Sequence, residues 1–143
     1  MSAWSELTLA VAQNAMPTDM AALYAAWVDT NPSKGSRVAE LVSETVGLFR
    51  QAVAANPANE LSDDPDMVPT TGFRHALNWI FFNLGMEMGV QFAPEVYSLM
   101  TRADIWLRMV QDGAFSPAGT AMGAGAPSYA VGEAEARGLL WVG

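Results

Sequence analysis

The sequence contains no cysteine and a single histidine, His75. A chain without cysteine forms no disulfide, holds no metal through thiolates and has no thiol nucleophile. A zinc site would lack its usual nitrogen and sulfur ligands, and a Ser-His-acid triad would depend on this one side chain. No pattern of serine and carboxylate accompanies His75. We therefore predict that it lies on a helix surface or at an interface, and that the protein is not an enzyme and takes no cofactor.

Charged residues are also scarce, at 15% of the 143 residues, while apolar residues make up 51%. Typical soluble domains carry roughly 25% charged residues. We therefore expect part of the apolar surface to be covered by another protein or by copies of the same chain. Seven basic residues stand against fifteen acidic ones, a net charge of −8. This balance argues against a protein that holds nucleic acid by neutralising phosphates, and against binding to an anionic membrane.

Long hydrophobic runs are missing as well. The most strongly apolar run without a charged residue, Ala76–Met86, is far shorter than the ~20 residues that a membrane-spanning helix needs. The first residues show no basic region followed by an apolar stretch, so no secretory signal is expected. These features predict a soluble protein.

A helical period dominates residues 1–112. Apolar residues recur at three- and four-residue steps, and no segment alternates as a strand does. The predicted helices cover approximately residues 4–16, 18–31, 36–55, 70–90 and 94–112. We therefore predict an all-α fold, a small helical bundle of about five helices. A connection of about three residues, Gln91–Ala93, predicts that the last two helices pack antiparallel.

The clearest apolar stripes belong to the third and fifth predicted helices. The stripe of the third helix comprises Val38, Leu41, Val42, Thr45, Phe49, Ala52 and Val53. The stripe of the fifth comprises Val96, Leu99, Met100, Ala103, Trp106, Leu107 and Val110, after which Gly113 can end the helix. Both stripes are predicted to form the core.

An acidic loop precedes the fourth helix, within residues 59–69. Its carboxylates are Glu60, Asp63, Asp64 and Asp66. Clustered carboxylates attract calcium, but this spacing lacks the alternating ligands and central glycine of a calcium loop. We therefore predict solvated acids that lie favourably before a helix N-terminus, and no metal site.

The fourth helix carries large side chains beside its core stripe. Trp79, Phe82 and Asn83 fall there, and we predict that they form a protein interface on the body, since aromatic side chains anchor many subunit contacts. Trp27 and Trp106 lie within stripes and are predicted to be core residues. Asn78 and Asn83 interrupt an apolar helix, and either hydrogen bonds across a subunit boundary or exposure to solvent would account for them.

The composition changes abruptly after the fifth helix. Residues 113–143 contain seven glycines, eight alanines and two prolines, so they form no core of their own and are predicted to be an extended docking arm. The predicted contact residues of this arm are Phe115, Met122, Tyr129, Leu139, Leu140 and Trp141. Such spaced apolar anchors are typical of a segment that docks on another subunit. A tail that folds back over its own bundle is the alternative.

The order of elements resembles the head–tail connector, or adaptor, proteins of tailed bacteriophages. An acidic loop that ends in Met67–Pro69 precedes the apolar helix at Ala76–Leu84, and an amphipathic helix ends in Ala103–Gly113. The last two body helices of the family close with an Ala-x-x-x-Leu-x-x-Val/Ile-x-x-Gly pattern. That pattern is matched here by Ala103, Leu107, Val110 and Gly113. The resemblance covers roughly residues 36–113 and is one of pattern.

The resemblance implies a structural virion protein at the neck, the head–tail junction, assembled in the bacterial cytoplasm. Its partners would be copies of itself in a ring, expected to be a dodecamer, together with the portal protein and a tail or tail-completion protein. DNA would pass through the channel only as cargo during packaging and ejection. Two alternatives remain: another phage neck or tail-completion protein, and a small cellular helical adaptor that binds one protein partner.

Overall fold

The computed structural model describes residues 3–113 and is mainly helical. The five helices are α1 (Leu9–Ala15), α2 (Thr18–Thr30), α3 (Arg37–Ala54), α4 (Phe73–Glu87) and α5 (Pro94–Asp112). Short 3-10 helices precede α3 and α4, at Pro32–Ser36 and Thr70–Gly72, and two strands, β1 (Trp4–Glu6) and β2 (Met67–Pro69), complete the fold. The predicted all-α bundle of five helices is confirmed. The predicted arm, residues 113–143, lies outside the described residues apart from Gly113.

Helices α3, α4 and α5 form the centre of the bundle. Trp106 of α5 stacks on Phe49 of α3, with ring centroids 5.4 Å apart, and Phe49 in turn meets the edge of Trp79 of α4 at 6.3 Å. The ring of Trp106 also covers Gly72, at the start of α4, while Phe82 near the end of α4 contacts Tyr97 near the start of α5. Helices α4 and α5 are therefore antiparallel, as predicted.

The predicted stripes of α3 and α5 lie in the core. All seven stripe residues of α3 are buried, and in α5 only Met100 is partly exposed. Gly113 ends α5 with a φ of 74°, in the left-handed region that favours glycine. Next to it, the side chain of Asn59 donates hydrogen bonds to the carbonyls of Val53 (3.1 Å) and Val110 (3.2 Å), so the C-terminal ends of α3 and α5 are held together.

The prediction that no strand occurs was wrong. β1 and β2 pair antiparallel, with Trp4 opposite Pro69 and Glu6 opposite Met67. A hydrogen bond of 2.8 Å between the hydroxyls of Ser5 and Thr70 extends the contact. Each strand has three residues, too few to show an alternating pattern, and the pairing joins segments more than sixty residues apart in the chain. Trp4 was therefore wrongly placed in a helix.

The bounds of the fourth helix also differ from the prediction of residues 70–90. Residues 70–72 form a 3-10 turn, and α4 ends at Glu87. The chain then crosses to α5 through residues 88–93, where Gly89 has a φ of 80°. Phe92 folds back onto Gly85, which has no room for a Cβ atom. This close packing explains why a glycine lies inside α4 despite its cost in a helix.

Gly47 in the middle of α3 has no such packing role. A Cβ atom at this position would meet nothing within 4 Å. Because glycine loses more backbone entropy in a helix than alanine does, we expect Gly47→Ala to raise the free energy of unfolding by about 0.5–1 kcal/mol. Urea unfolding followed by circular dichroism measures the change. Gly72→Ala is the matched control and should destabilise the protein, since a Cβ there would lie 2.6 Å from the ring of Trp106.

Candidate functional site

One face of α4 presents large side chains away from the core. Phe82, Asn83 and Met86 lie three, four and seven residues after Trp79, so the four side chains share one side of the helix. Together with Tyr97 of α5, which contacts Phe82, they form what we call the α4 outer surface. Met86 is 52% exposed and Tyr97 is 50% exposed, while the other three are half-buried. The structure therefore brings the three predicted interface residues of the body together.

Trp79 and Asn83 line a cleft between α4 and α3. The cleft has a volume of about 270 Å³, and Leu41, Leu48 and Thr45 of α3 form its other wall. The side-chain amide of Asn83 donates a 2.8 Å hydrogen bond to the carbonyl of Trp79. Asn83 is thus held by its own helix, beside the half-buried Trp79.

Phe82 lies at the centre of an aromatic group on the α5 side of the same surface. Its ring stacks on Phe92 at 5.0 Å and meets Tyr97 edge-on at 5.6 Å. Val96 and Leu99, both buried, pack against Phe82 and Phe92. Because a rigid platform of aromatic side chains loses little conformational entropy on association, such groups are frequent anchors of protein interfaces.

A charged rim borders this surface at the end where α3 begins. The guanidinium of Arg37 donates hydrogen bonds to Glu87 (2.7 and 2.9 Å) and to Glu40 and Glu44 (3.1 Å each). The hydrogen bond to Glu87 raises the pKa of Arg37 above its ordinary value. Hydrogen bonds from Arg37 and then from Ser36 lower the pKa of the Glu40 carboxyl. Arg37 and Glu40 therefore stay ionised at neutral pH, and with three carboxyl groups around one guanidinium the rim has an excess of acidic side chains.

The expectation that His75 lies on a helix surface or at an interface was wrong. Its side chain is 0% exposed, and its ring lies 6.1 Å from that of Trp106, centroid to centroid. A substrate in solvent cannot reach this imidazole while the core is closed. Asn78 is also buried, at 1% exposure, so neither a subunit boundary nor solvent explains it.

The predicted acidic loop is exposed to solvent at all four of its carboxylates. Arg50 of α3 holds the loop in place, since its guanidinium donates to the carbonyls of Ser62 (2.7 Å) and Met67 (2.8 Å). Within residues 3–113, no group of three acidic or histidine side chains is arranged to hold a metal ion. Nor is any helix of that part long and apolar enough to cross a membrane.

Sequence reasoning missed two residues of the α4 outer surface, Met86 and Tyr97, and also missed Arg37 of its rim. Met86 could have been found, because it continues the three- and four-residue steps from Trp79. Tyr97 and Arg37 reach the surface from other helices, so only the packing reveals them. The predicted arm contacts Phe115, Met122, Tyr129, Leu139, Leu140 and Trp141 lie outside the described residues.

Comparisons with models of protein families, with curated proteins and with solved structures found no match.

Proposed function

We propose that this protein is a structural subunit without catalytic activity that assembles into a ring and acts as a head–tail connector of a tailed bacteriophage. In this role its copies lie between the portal and the tail and surround the channel through which DNA passes. The α4 outer surface is the structural observation that carries this proposal. The resemblance over residues 36–113 supports it.

The anatomy of the α4 outer surface supports a protein contact. Half-buried aromatic side chains lie at its centre, exposed Met86 and Tyr97 lie beside them, and the ion pairs of Arg37 form the rim. Apolar centres within polar rims are typical of subunit interfaces. In contrast, His75, the only histidine of the sequence, is fully buried in the core. Both observations favour assembly over catalysis.

The distribution of charge suits a channel that lets DNA pass. The net charge is −8, and the acidic loop exposes its four carboxylates. Negative charge repels the phosphate backbone, so a conduit of this kind would not retain the DNA that moves through it.

Self-association tests the role of the α4 outer surface. We expect Met86→Glu to weaken the self-association of the full chain at least tenfold, because a carboxylate would be desolvated within the contact. The measurement is sedimentation velocity over a range of protein concentrations. Wild type is expected to form oligomers, and the variant to sediment as a monomer of 15.3 kDa over the same range.

Leu23→Glu provides the matched control. Leu23 of α2 is 50% exposed, close to the 52% of Met86, but it lies outside the α4 outer surface. The control should assemble as wild type does. Equal assembly by Met86→Glu and wild type would remove this surface from the account. A wild-type chain that stays monomeric and captures one protein would instead favour the cellular adaptor.

A further inference from the structure

A second concave surface lies on the opposite side of α3 from the α4 outer surface. This α1–α3 groove, about 590 Å³ in volume, runs between α3 and the residues that lead into α1. Its lining includes Leu7, Leu9, Val42, Ser43, Val46 and Gly47. Small side chains form most of the wall on α3, with Arg50 and Gln51 at its C-terminal end. A Cβ at Gly47 would meet nothing within 4 Å, and Leu9 opposite is 38% exposed. The groove can therefore receive large apolar side chains.

The chain leaves the described body close to this groove. Gly113 lies against Asn56, just beyond the C-terminal end of α3. At the rise of an α-helix, the groove extends from about 8 Å to about 26 Å along α3 from Asn56. Thirty residues, 114–143, follow Gly113 in the sequence.

The densest apolar run in those thirty residues is Leu139–Val142, with Arg137 two residues before it. A Gly/Ala-rich chain of 24 residues, the distance from Gly113 to Arg137, has a root-mean-square end-to-end distance of about 27 Å. That length is sufficient to reach any part of the groove, whose far end lies about 26 Å along α3 from Asn56. Extended, the four apolar residues need about 13 Å, which the groove accommodates.

Charges of both signs are present on the two partners. Arg50 and the exposed Asp66 line the groove, and Glu133 and Glu135 precede Arg137, the only basic residue in 114–143. The apolar residues, not a net charge, therefore carry the match, and Asp66 offers a carboxylate with which Arg137 can pair.

We infer that the α1–α3 groove of the free subunit binds the C-terminal segment of its own chain, residues 137–142. The contact covers Leu139, Leu140 and Trp141 before assembly and leaves the α4 outer surface open on the other side of α3. The inference concerns the isolated chain and does not depend on the connector role.

The absence of cysteine from the chain permits a clean disulfide test. The full-length variant Ser43→Cys with Leu140→Cys is oxidised with glutathione disulfide at low micromolar protein concentration. Ser98→Cys with Leu140→Cys is the matched control. Both serines are exposed, and they lie about 20 and 22 Å along their helices from the point where the chain leaves the body. Non-reducing electrophoresis separates intramolecular from intermolecular bonds.

We expect the Ser43 pair to form an intramolecular disulfide at least tenfold faster than the Ser98 pair. Adding Gly47→Trp to the Ser43 pair should fill the groove and reduce the rate to that of the control, while circular dichroism confirms the fold. Equal rates for the two pairs would overturn the proposal. Predominantly intermolecular bonds would also overturn it, since they would place the segment on a second copy. Neither result bears on whether the protein enters a virion.

Discussion

Replacement of Trp106 by alanine is expected to lower the free energy of unfolding by about 3–5 kcal/mol, the largest stability effect of any single substitution proposed here. Trp106 is 1% exposed, stacks on Phe49 and covers Gly72, so it joins α3, α4 and α5 in one contact. Alanine would leave a cavity that three helices cannot all close. Since domains are typically stable by only 5–15 kcal/mol, the loss would be a large fraction of the total.

Urea unfolding followed by circular dichroism at 222 nm measures this loss. Trp27→Ala is the matched control, because Trp27 is a half-buried tryptophan that contacts Tyr24 at 6.1 Å and lies under the ammonium of Lys34 at 5.7 Å. It should cost only about 1–2 kcal/mol. Similar losses for the two variants would show that Trp106 is not the centre of the core.

Deletion of residues 114–143 is expected to have the largest effect on function. The body should stay folded, because α3, α4 and α5 supply the core of the described residues. Attachment to the portal or to the ring should be lost, because the predicted contacts of the arm are removed. These contacts are Phe115, Met122, Tyr129, Leu139, Leu140 and Trp141. Circular dichroism checks the fold, and co-sedimentation with assembled portal measures attachment.

A full-length variant separates the apolar contacts from the mere length of the arm. Leu139, Leu140 and Trp141 are replaced together by serine, and attachment is again measured by co-sedimentation. This variant should bind more weakly than wild type and more strongly than the deletion, since three of the six contacts remain. If the deleted chain joins the complex at full occupancy, the arm does not dock on a partner.

The core of the bundle could be predicted from periodicity because each of its long helices has one strongly apolar stripe. In α3, residues from Val38 to Val53 recur at helical steps, and all seven stripe residues are buried. In α5, the stripe ends at Val110 and Gly113 follows three residues later, which predicted the end of the helix. Local patterns of this kind carry the information that decides which face of a helix is buried.

For helix α4, periodicity alone did not predict which polar residues are buried. Its apolar residues Ala76, Leu77, Ile80, Phe81 and Leu84 are buried, and because α3 and α5 both pack against this helix, His75 and Asn78 beside them are buried as well. Whether the flank of an apolar helix is covered depends on its neighbours, and the sequence of α4 does not contain them. The same holds for β1 and β2, which pair across a long chain separation. The α4 outer surface was predicted in part because Trp79 and Phe82 are conspicuous on their own helix.

The most direct test of the connector proposal is quantitative mass spectrometry on purified virions of a phage whose genome encodes this chain. Peptides from the described body, such as those within α3 and α5, would be counted against peptides of the portal protein. The proposal predicts a particle-bound protein at a copy number comparable to that of the portal. Absence of the protein from the particle would contradict the proposal and favour a cellular adaptor.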